Sequence, residues 1–216
     1  VEFLLWGQDL HGTGPGAGTR PFSDYIQGEG CTGGHCDRRA AYLQAATDLL
    51  VSDLQEMTGN WAEGGAARKS VTEDPDKGVQ AMLTGMGSLS YGEQAGERMK
   101  LGLMLNDPEE EHDCFSDNTQ NSHYYDGLGI RNVYLGSYTR PDGSVVSGPS
   151  LSSLVAASDA AVDTQLKTEL DASVAALTAL KAAADGGVAY DQMLAPGNKD
   201  GEKLIMDAVN ALVTQT

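Results

Sequence analysis

Residues 150–184 read SLSSLVAASDAAVDTQLKTELDASVAALTALKAAA. Leu151, Leu154, Val155, Val162, Leu166, Leu170, Val174, Leu177 and Leu180 recur at three- and four-residue steps, which is the stripe of a helix with one buried face. Alanine, the strongest helix former, fills many of the positions between them. The spacing predicts one helix from Ser150 to about Ala184, stopped by Gly186-Gly187. A helix of this length with a single apolar face needs other helices to cover that face.

The rest of the chain supplies them. Leu43, Ala46, Leu50, Leu54, Met57 and Trp61 predict a helix from Arg38 to about Trp61, ended by Gly64-Gly65. Met82, Leu83, Met86, Leu89, Met99, Leu103 and Met104 predict another from about Lys77 to Leu105. Its Gly92 and Gly96, one turn apart, suggest the close approach of a neighbouring helix. Asn106-Asp107-Pro108, followed by Glu109, Glu110 and Glu111, reads as a helix start with an acidic first turn. That helix runs to about Asp126 and breaks near Gly127-Leu128-Gly129. Residues 130–150 read as irregular, with a turn at Arg140-Pro141-Asp142-Gly143. A short helix over 188–194 and a last one from Gly201 to Val213 complete the set. No strand-type alternation persists, and no repeat of 20–50 residues is present. The expected fold is all-α, an antiparallel helix bundle.

The N-terminal part is different. Val1 to Trp6 reads as the end of a helix, and residues 7–37 are rich in Gly, Pro and polar residues. The organisation expected is therefore 1–37, a helix end plus a long loop, and 38–216, the helical domain. Of three cysteines, Cys31 and Cys36 flank Thr-Gly-Gly-His, flexible enough for a small disulfide loop. Free thiols and a zinc site using His35 are the competing readings, and the zinc reading lacks a fourth ligand at a recognised spacing. A disulfide would mean an oxidising compartment. Cys114 is left over, either free or paired outside this chain.

The 216 residues carry 14 basic and 31 acidic side chains, a net charge of −17. Such a polyanion is repelled by nucleic acid and by anionic membrane surfaces, so neither is an expected partner. It suits a protein that handles cations, or one whose acidic surface serves solubility. No stretch has the length and apolarity of a membrane span. The sequence opens on Val1 without Met or a basic leader, and an N-terminal half, as upstream sequence or a separate chain, is expected.

Three groups of residues carry the chemistry that acidic helices offer. Glu2 sits in an otherwise apolar helical segment, where a solvent-facing glutamate is the ordinary reading. Glu93 and Glu97 share a face at a spacing of four and repel each other unless a cation or Arg98 intervenes. The densest cluster is Glu109 to Thr119, EEEHDCFSDNT. On a helix, Glu109, His112, Asp113 and Ser116 would share a face, with Asp117 one turn beyond Asp113. Glu109-x-x-His112 has the spacing of bundle-core carboxylate–histidine metal sites, though the usual design has two such pairs. An acidic helix start explains the three glutamates without any metal. No zinc-protease helix, Gly-x-Ser-x-Gly elbow or Walker loop occurs.

Four stretches, in order over residues 1 to about 136, together resemble the imelysin-like family. They are Val1-Glu2-Phe3-Leu4-Leu5-Trp6-Gly7 with Gly14-Pro15-Gly16; Cys31 to Cys36 with Asp37-Arg38-Arg39-Ala40-Ala41-Tyr42-Leu43; Ser90-Tyr91-Gly92-Glu93 with Gly96-Glu97-Arg98-Met99; and Glu111 to Thr119. The resemblance implies an all-helical fold of two bundle-like halves, of which this chain is the C-terminal part. It implies a metal site between the halves, exported to the periplasm or outer membrane, with a lipid anchor upstream, and tied to iron uptake. By position, Glu2 is the glutamate of the family's Gly-x-His-x-x-Glu motif, whose histidine precedes Val1. His112 and Asp117 would join Glu2 at the metal, with Asp113, Glu93 and Glu97 as further candidates. Ser116, Arg38 and Arg39 would support the site. Iron is the metal the resemblance favours, with zinc or calcium as alternatives. The competing functions are a zinc metallopeptidase and a non-catalytic module binding haem or a partner.

Overall fold

The computed structural model describes residues 1–216. It is an all-α bundle with one small hairpin. The elements are α1 (Glu2–Trp6), α2 (Cys36–Trp61), α3 (Ala66–Thr72), α4 (Pro75–Gly87), a π-helical segment (Ser88–Lys100), α5 (Leu101–Leu105), α6 (Thr119–Leu135), β1 (Ser137–Thr139), β2 (Val145–Ser147), α7 (Leu151–Ser158), α8 (Ala160–Asp185), α9 (Tyr190–Leu194) and α10 (Lys199–Thr214). Helix α8 packs between α6 and α10, and the π segment packs on α10 and α6. The main core joins Ala95 and Met99 of the π segment, Leu177 and Leu180 of α8, Tyr190, Met193 and Leu194 of α9, and Ile205, Ala208, Val209 and Leu212 of α10. A smaller core collects Ile130, Tyr134, Leu151 and Leu170.

The predicted helix over Ser150–Ala184 is two helices. Asp159 leaves the helical region, and its carboxylate accepts hydrogen bonds from the N–H groups of Ala161 and Val162 at 2.9 and 3.2 Å. It is the N-cap of α8, a role its short acceptor side chain favours. The break turns part of the predicted stripe outward: Leu170, Leu177 and Leu180 are buried, whereas Leu154 and Val162 are exposed. Ser152 and Tyr134 both donate to Asp163, at 2.7 and 3.0 Å, and Lys167 pairs with it at 2.7 Å, which ties α6, α7 and α8 together.

The expected helix over 77–105 is continuous, but Ser88–Lys100 has π geometry, with hydrogen bonds reaching five residues. Its buried residues are Ser90, Gln94, Ala95 and Met99, spaced for the wider turn. The tie to α10 is polar: Ser90 donates to the Leu212 carbonyl at 2.8 Å and accepts from Gln215 at 2.7 Å. The close approach expected at Gly92 and Gly96 occurs elsewhere. A Cβ on Gly92 would meet nothing, whereas one on Gly127 would lie 2.3 Å from Leu177 Cδ1. Gly127 therefore does not break α6. It lets α6 sit against α8, and the helix runs on to Leu135. Beyond it, residues 137–147 form an antiparallel hairpin, with Tyr138 opposite Val146 across the predicted Arg140–Gly143 turn.

Cys31 and Cys36 are disulfide-bonded, closing the loop ahead of α2. Arg39 buttresses that loop, donating to the Asp24 and Gly33 carbonyls at 2.7 and 3.3 Å. Asp24 in turn pairs with Arg20 at 3.1 Å, and Arg20 donates to the Phe3 carbonyl at 3.3 Å and lies over the Phe3 ring. Arg38, one residue earlier, is exposed and takes no part in this chain of contacts. Helix α2 buries only Cys36, and its apolar stripe of Leu50, Leu54, Met57 and Trp61 is exposed. No helix is long and apolar enough to cross a membrane.

Candidate metal centre

The segment 109–118 is not a helix. A single 3₁₀ turn over Pro108–Glu110 gives way to turns, and α6 begins only at Thr119. The shared helical face inferred for Glu109, His112, Asp113 and Ser116 therefore does not exist. Asp107 caps the 3₁₀ turn by accepting from the Glu109 N–H, and a left-handed Asp117 then reverses the chain. The Asp113 N–H donates to Thr119 Oγ1 at 2.9 Å, and the Asp113 carboxylate accepts from the Ser122 hydroxyl. These contacts hold the turn against the start of α6.

The N-terminal segment docks on the same turn. Glu2 Oε1 accepts from both the N–H and the hydroxyl of Ser116, at 2.9 and 2.6 Å. Phe3 packs edge-on against Phe115, Gly18 donates to the Phe115 carbonyl at 2.9 Å, and Gln8 donates to Glu109 at 2.8 Å. Glu2 and Ser116, 114 residues apart in sequence, thus meet directly. Removing the carboxylate in Glu2→Ala leaves two half-buried donors unpaired, a loss of about 1–3 kcal/mol. The expected result is faster amide exchange at Ser116 and along α1; unchanged protection there would mean that the contact does not hold the segment.

His112 and Asp117 fall into different groups. One group is His112, His123 and Asp126, whose ligand atoms lie within 4.8 Å of one another. The second is Asp9, Asp117 and Asp191, with the same spread. Glu93 is exposed and paired with Arg98 at 3.0 Å. Arg98 thus supplies the cation expected to relieve the repulsion between Glu93 and Glu97. Glu97 is exposed and belongs to neither group.

The histidine group has the chemistry of a transition-metal site. His123 is fully buried, and neither ring nitrogen has a hydrogen-bond partner. Burial, with smaller contributions from His112 and Arg98, holds its pKa down at about 3, so the ring is the neutral form that binds metals. Its ring lies 4.9 Å from that of His112 and 5.0 Å from that of Tyr190. His112 Nδ1 is 3.9 Å from Asp126, whose carboxyl burial pushes upward in pKa. A groove of about 880 Å³, lined by His112, Asp113, Asn121, Ser122, Asp126 and Glu93, opens beside the group. Two imidazoles and one carboxylate next to an open groove match the ligand set of non-haem iron and of many zinc sites. A larger cavity, about 1340 Å³, lies between α6 and the hairpin; its charged lining is Arg131 and Arg140, without an acidic ligand.

The imelysin model, of peptidase family M75, matches residues 1–216. The chain belongs to the imelysin family. That membership places it in a peptidase-like, iron-related protein family. No curated protein sequence matches the chain at a significant level.

Several residues in and beside these two groups escape sequence reading. His123 and Asp126 lie three apart on α6 and so share a face, a spacing visible in the sequence but too common on helices to mark a site. Asp9 and Asp191 give no local signal; both sit in ordinary polar contexts. Glu111 lies inside the acidic run, where nothing local sets it apart from Glu109 and Glu110. In the fold it is the buried one, and burial, reinforced by the charges of Asp191, Asp117 and Asp9, pushes its pKa up to about 8. Cys114 is a free thiol whose pKa burial raises to about 11, so it is no thiolate nucleophile at neutral pH.

Proposed function

We propose that this imelysin-family chain binds a transition-metal ion, iron first, through His112, His123 and Asp126, and serves metal acquisition in the bacterial envelope. The observation that carries the reading is His123: a fully buried imidazole with two unpartnered nitrogens, converging with a second histidine and a carboxylate. A buried polar ring without a partner is costly unless a ligand completes it. Glu2 acts here as the acceptor that holds Ser116 and the site-forming turn, with Asp117 and Asp113 shaping that turn. The Cys31–Cys36 disulfide supports an oxidising location, the periplasm or outer membrane. The exposed stripe of α2 supports a further helical half, or a separate chain, as the partner that covers it.

The test is titration of the metal-stripped chain with Fe²⁺, under reducing, oxygen-free conditions, and with Zn²⁺. His123→Ala and His112→Ala should each weaken binding at least tenfold, while Glu93→Gln leaves it unchanged. Equal affinity in the wild type and both histidine variants overturns the reading. A second reading, a zinc peptidase, draws support from the family and from the open groove, where Asp113 and Glu93 stand near the ligand group. It predicts cleavage of an unfolded protein substrate with zinc present that His123→Ala abolishes.

A further inference from the structure

Asp9, Asp117 and Asp191 come from three distant parts of the chain: the loop after α1, the turn before α6, and α9. Their carboxylates converge to within 4.8 Å. Asp191 is 1 % exposed, and neither of its oxygens has a hydrogen-bond partner. Asp117 Oδ1 is likewise buried and unpartnered. Buried carboxylates are normally hydrogen-bonded or paired with a cation. The one ion pair that reaches this group is His11 with Asp9, at 2.8 Å, and His11 is half-exposed. Neither Asp117 nor Asp191 has a salt-bridge partner.

We propose that Asp9, Asp117 and Asp191 bind a hard divalent cation of the calcium class, which clamps the loop after α1 to the turn before α6 and to α9. The spread of the three oxygens fits one ion. Calcium takes about six to eight oxygens at roughly 2.3–2.6 Å, so ligands on opposite sides of it stand about 5 Å apart. Three carboxylates supply between three and six of those oxygens, and water or backbone carbonyls complete the shell. An all-oxygen set prefers calcium, magnesium or manganese, whereas the His112–His123–Asp126 group prefers iron or zinc. The two groups therefore select different ions, and this proposal does not depend on the transition-metal reading above.

The mechanical consequence follows from where the ligands sit. Asp9 lies on the segment that Glu2, Gln8 and Gly18 already dock on the 109–117 turn. A cation shared with Asp191 would extend that docking to α9, which is part of the main core. Binding should stabilise the folded chain and protect the N-terminal segment, whose exposed Phe22, followed by Ser23, is a chymotrypsin site.

The experiment uses the whole chain, stripped of metal, at pH 7.5. Calcium is titrated by calorimetry and by thermal unfolding, with magnesium and manganese in parallel arms, and chymotryptic cleavage after Phe22 is timed with and without calcium. One equivalent of calcium should bind, raise the unfolding temperature and slow the cleavage. Asp191→Asn and Asp9→Asn should each weaken calcium binding at least tenfold, while His123→Ala leaves it unchanged. A preference for manganese or magnesium with the same loss in both aspartate variants supports the site and reassigns its ion. No binding, or a thermal shift equal in wild type and variants, is the behaviour of an acidic surface being screened, and overturns it. Should Asp191→Asn fail to fold, Asp9→Asn, in the loop, decides.

Discussion

Glu111→Gln should make the metal-free chain more stable at pH 8 and should flatten its stability between pH 5 and 8. Glu111 is 6 % exposed, and its Oε2 has no partner. Burial raises its pKa from 4.5 to about 8. Between those two values the folded chain keeps a proton that the unfolded chain has released. Folded protein thus binds more protons than unfolded, and stability falls as pH climbs through the window. Above pH 8 the folded state must carry the buried charge. At about 1.4 kcal/mol per pKa unit, the loss across the window approaches 5 kcal/mol at most. Glutamine is isosteric and neutral, so it removes that slope, and its amide can donate toward the carboxylates of Asp117 and Asp191. Asp191, raised by burial to about 6, leaves a smaller slope of the same sign in both proteins. Urea unfolding at pH 5, 6.5 and 8 in the presence of EDTA reads the difference. Parallel profiles would show that Glu111 keeps an ordinary pKa in the fold.

Leu177→Ala should destabilise the chain by about 3–5 kcal/mol, the range for removing a fully buried leucine from a packed core. Leu177 is completely buried and joins α8 to the main cluster. Its more informative use is with Gly127, where a Cβ would stand 2.3 Å from Leu177 Cδ1. Gly127→Ala alone forces Leu177 out of place, at about 1–3 kcal/mol, offset in part by about 1 kcal/mol of better helix propensity. In the double variant the new methyl enters the space that Leu177 has vacated. The double variant should be no less stable than Leu177→Ala alone, and the coupling between the two sites should exceed about 1 kcal/mol. Strict additivity in urea unfolding would mean that α6 and α8 do not meet through this pair.

The helical elements were legible where periodicity and end signals agreed. Arg38 to Trp61, Gly201 to Val213 and the Arg140–Gly143 turn are found within a few residues of where the spacing put them. Three readings needed correction, each for a local reason. Asp159 caps a new helix inside an apparently continuous stripe, because its carboxylate offers α8 a better start than continued helix. Gly127 reads as a breaker but is the contact that lets α6 pass close to α8. The run from Glu109 to Asp117 has a helix-start signal yet folds into turns, so i, i+3 arithmetic gave a false face.

What the sequence alone determined is the all-α class, the acidic character, the family and the segments that matter: Val1 to Gly7, Cys31 to Cys36, and Glu111 to Thr119. Those rest on local properties, periodicity and motif, that a chain carries before it folds. Which side chains meet was decided by tertiary structure. Glu2 reaches Ser116, His112 joins His123 and Asp126, and Asp117 joins Asp9 and Asp191. Burial then separates one glutamate of three from its neighbours and holds His123 neutral. Residues more than a hundred positions apart leave no periodic trace of their meeting, and desolvation exists only once the bundle has closed around them.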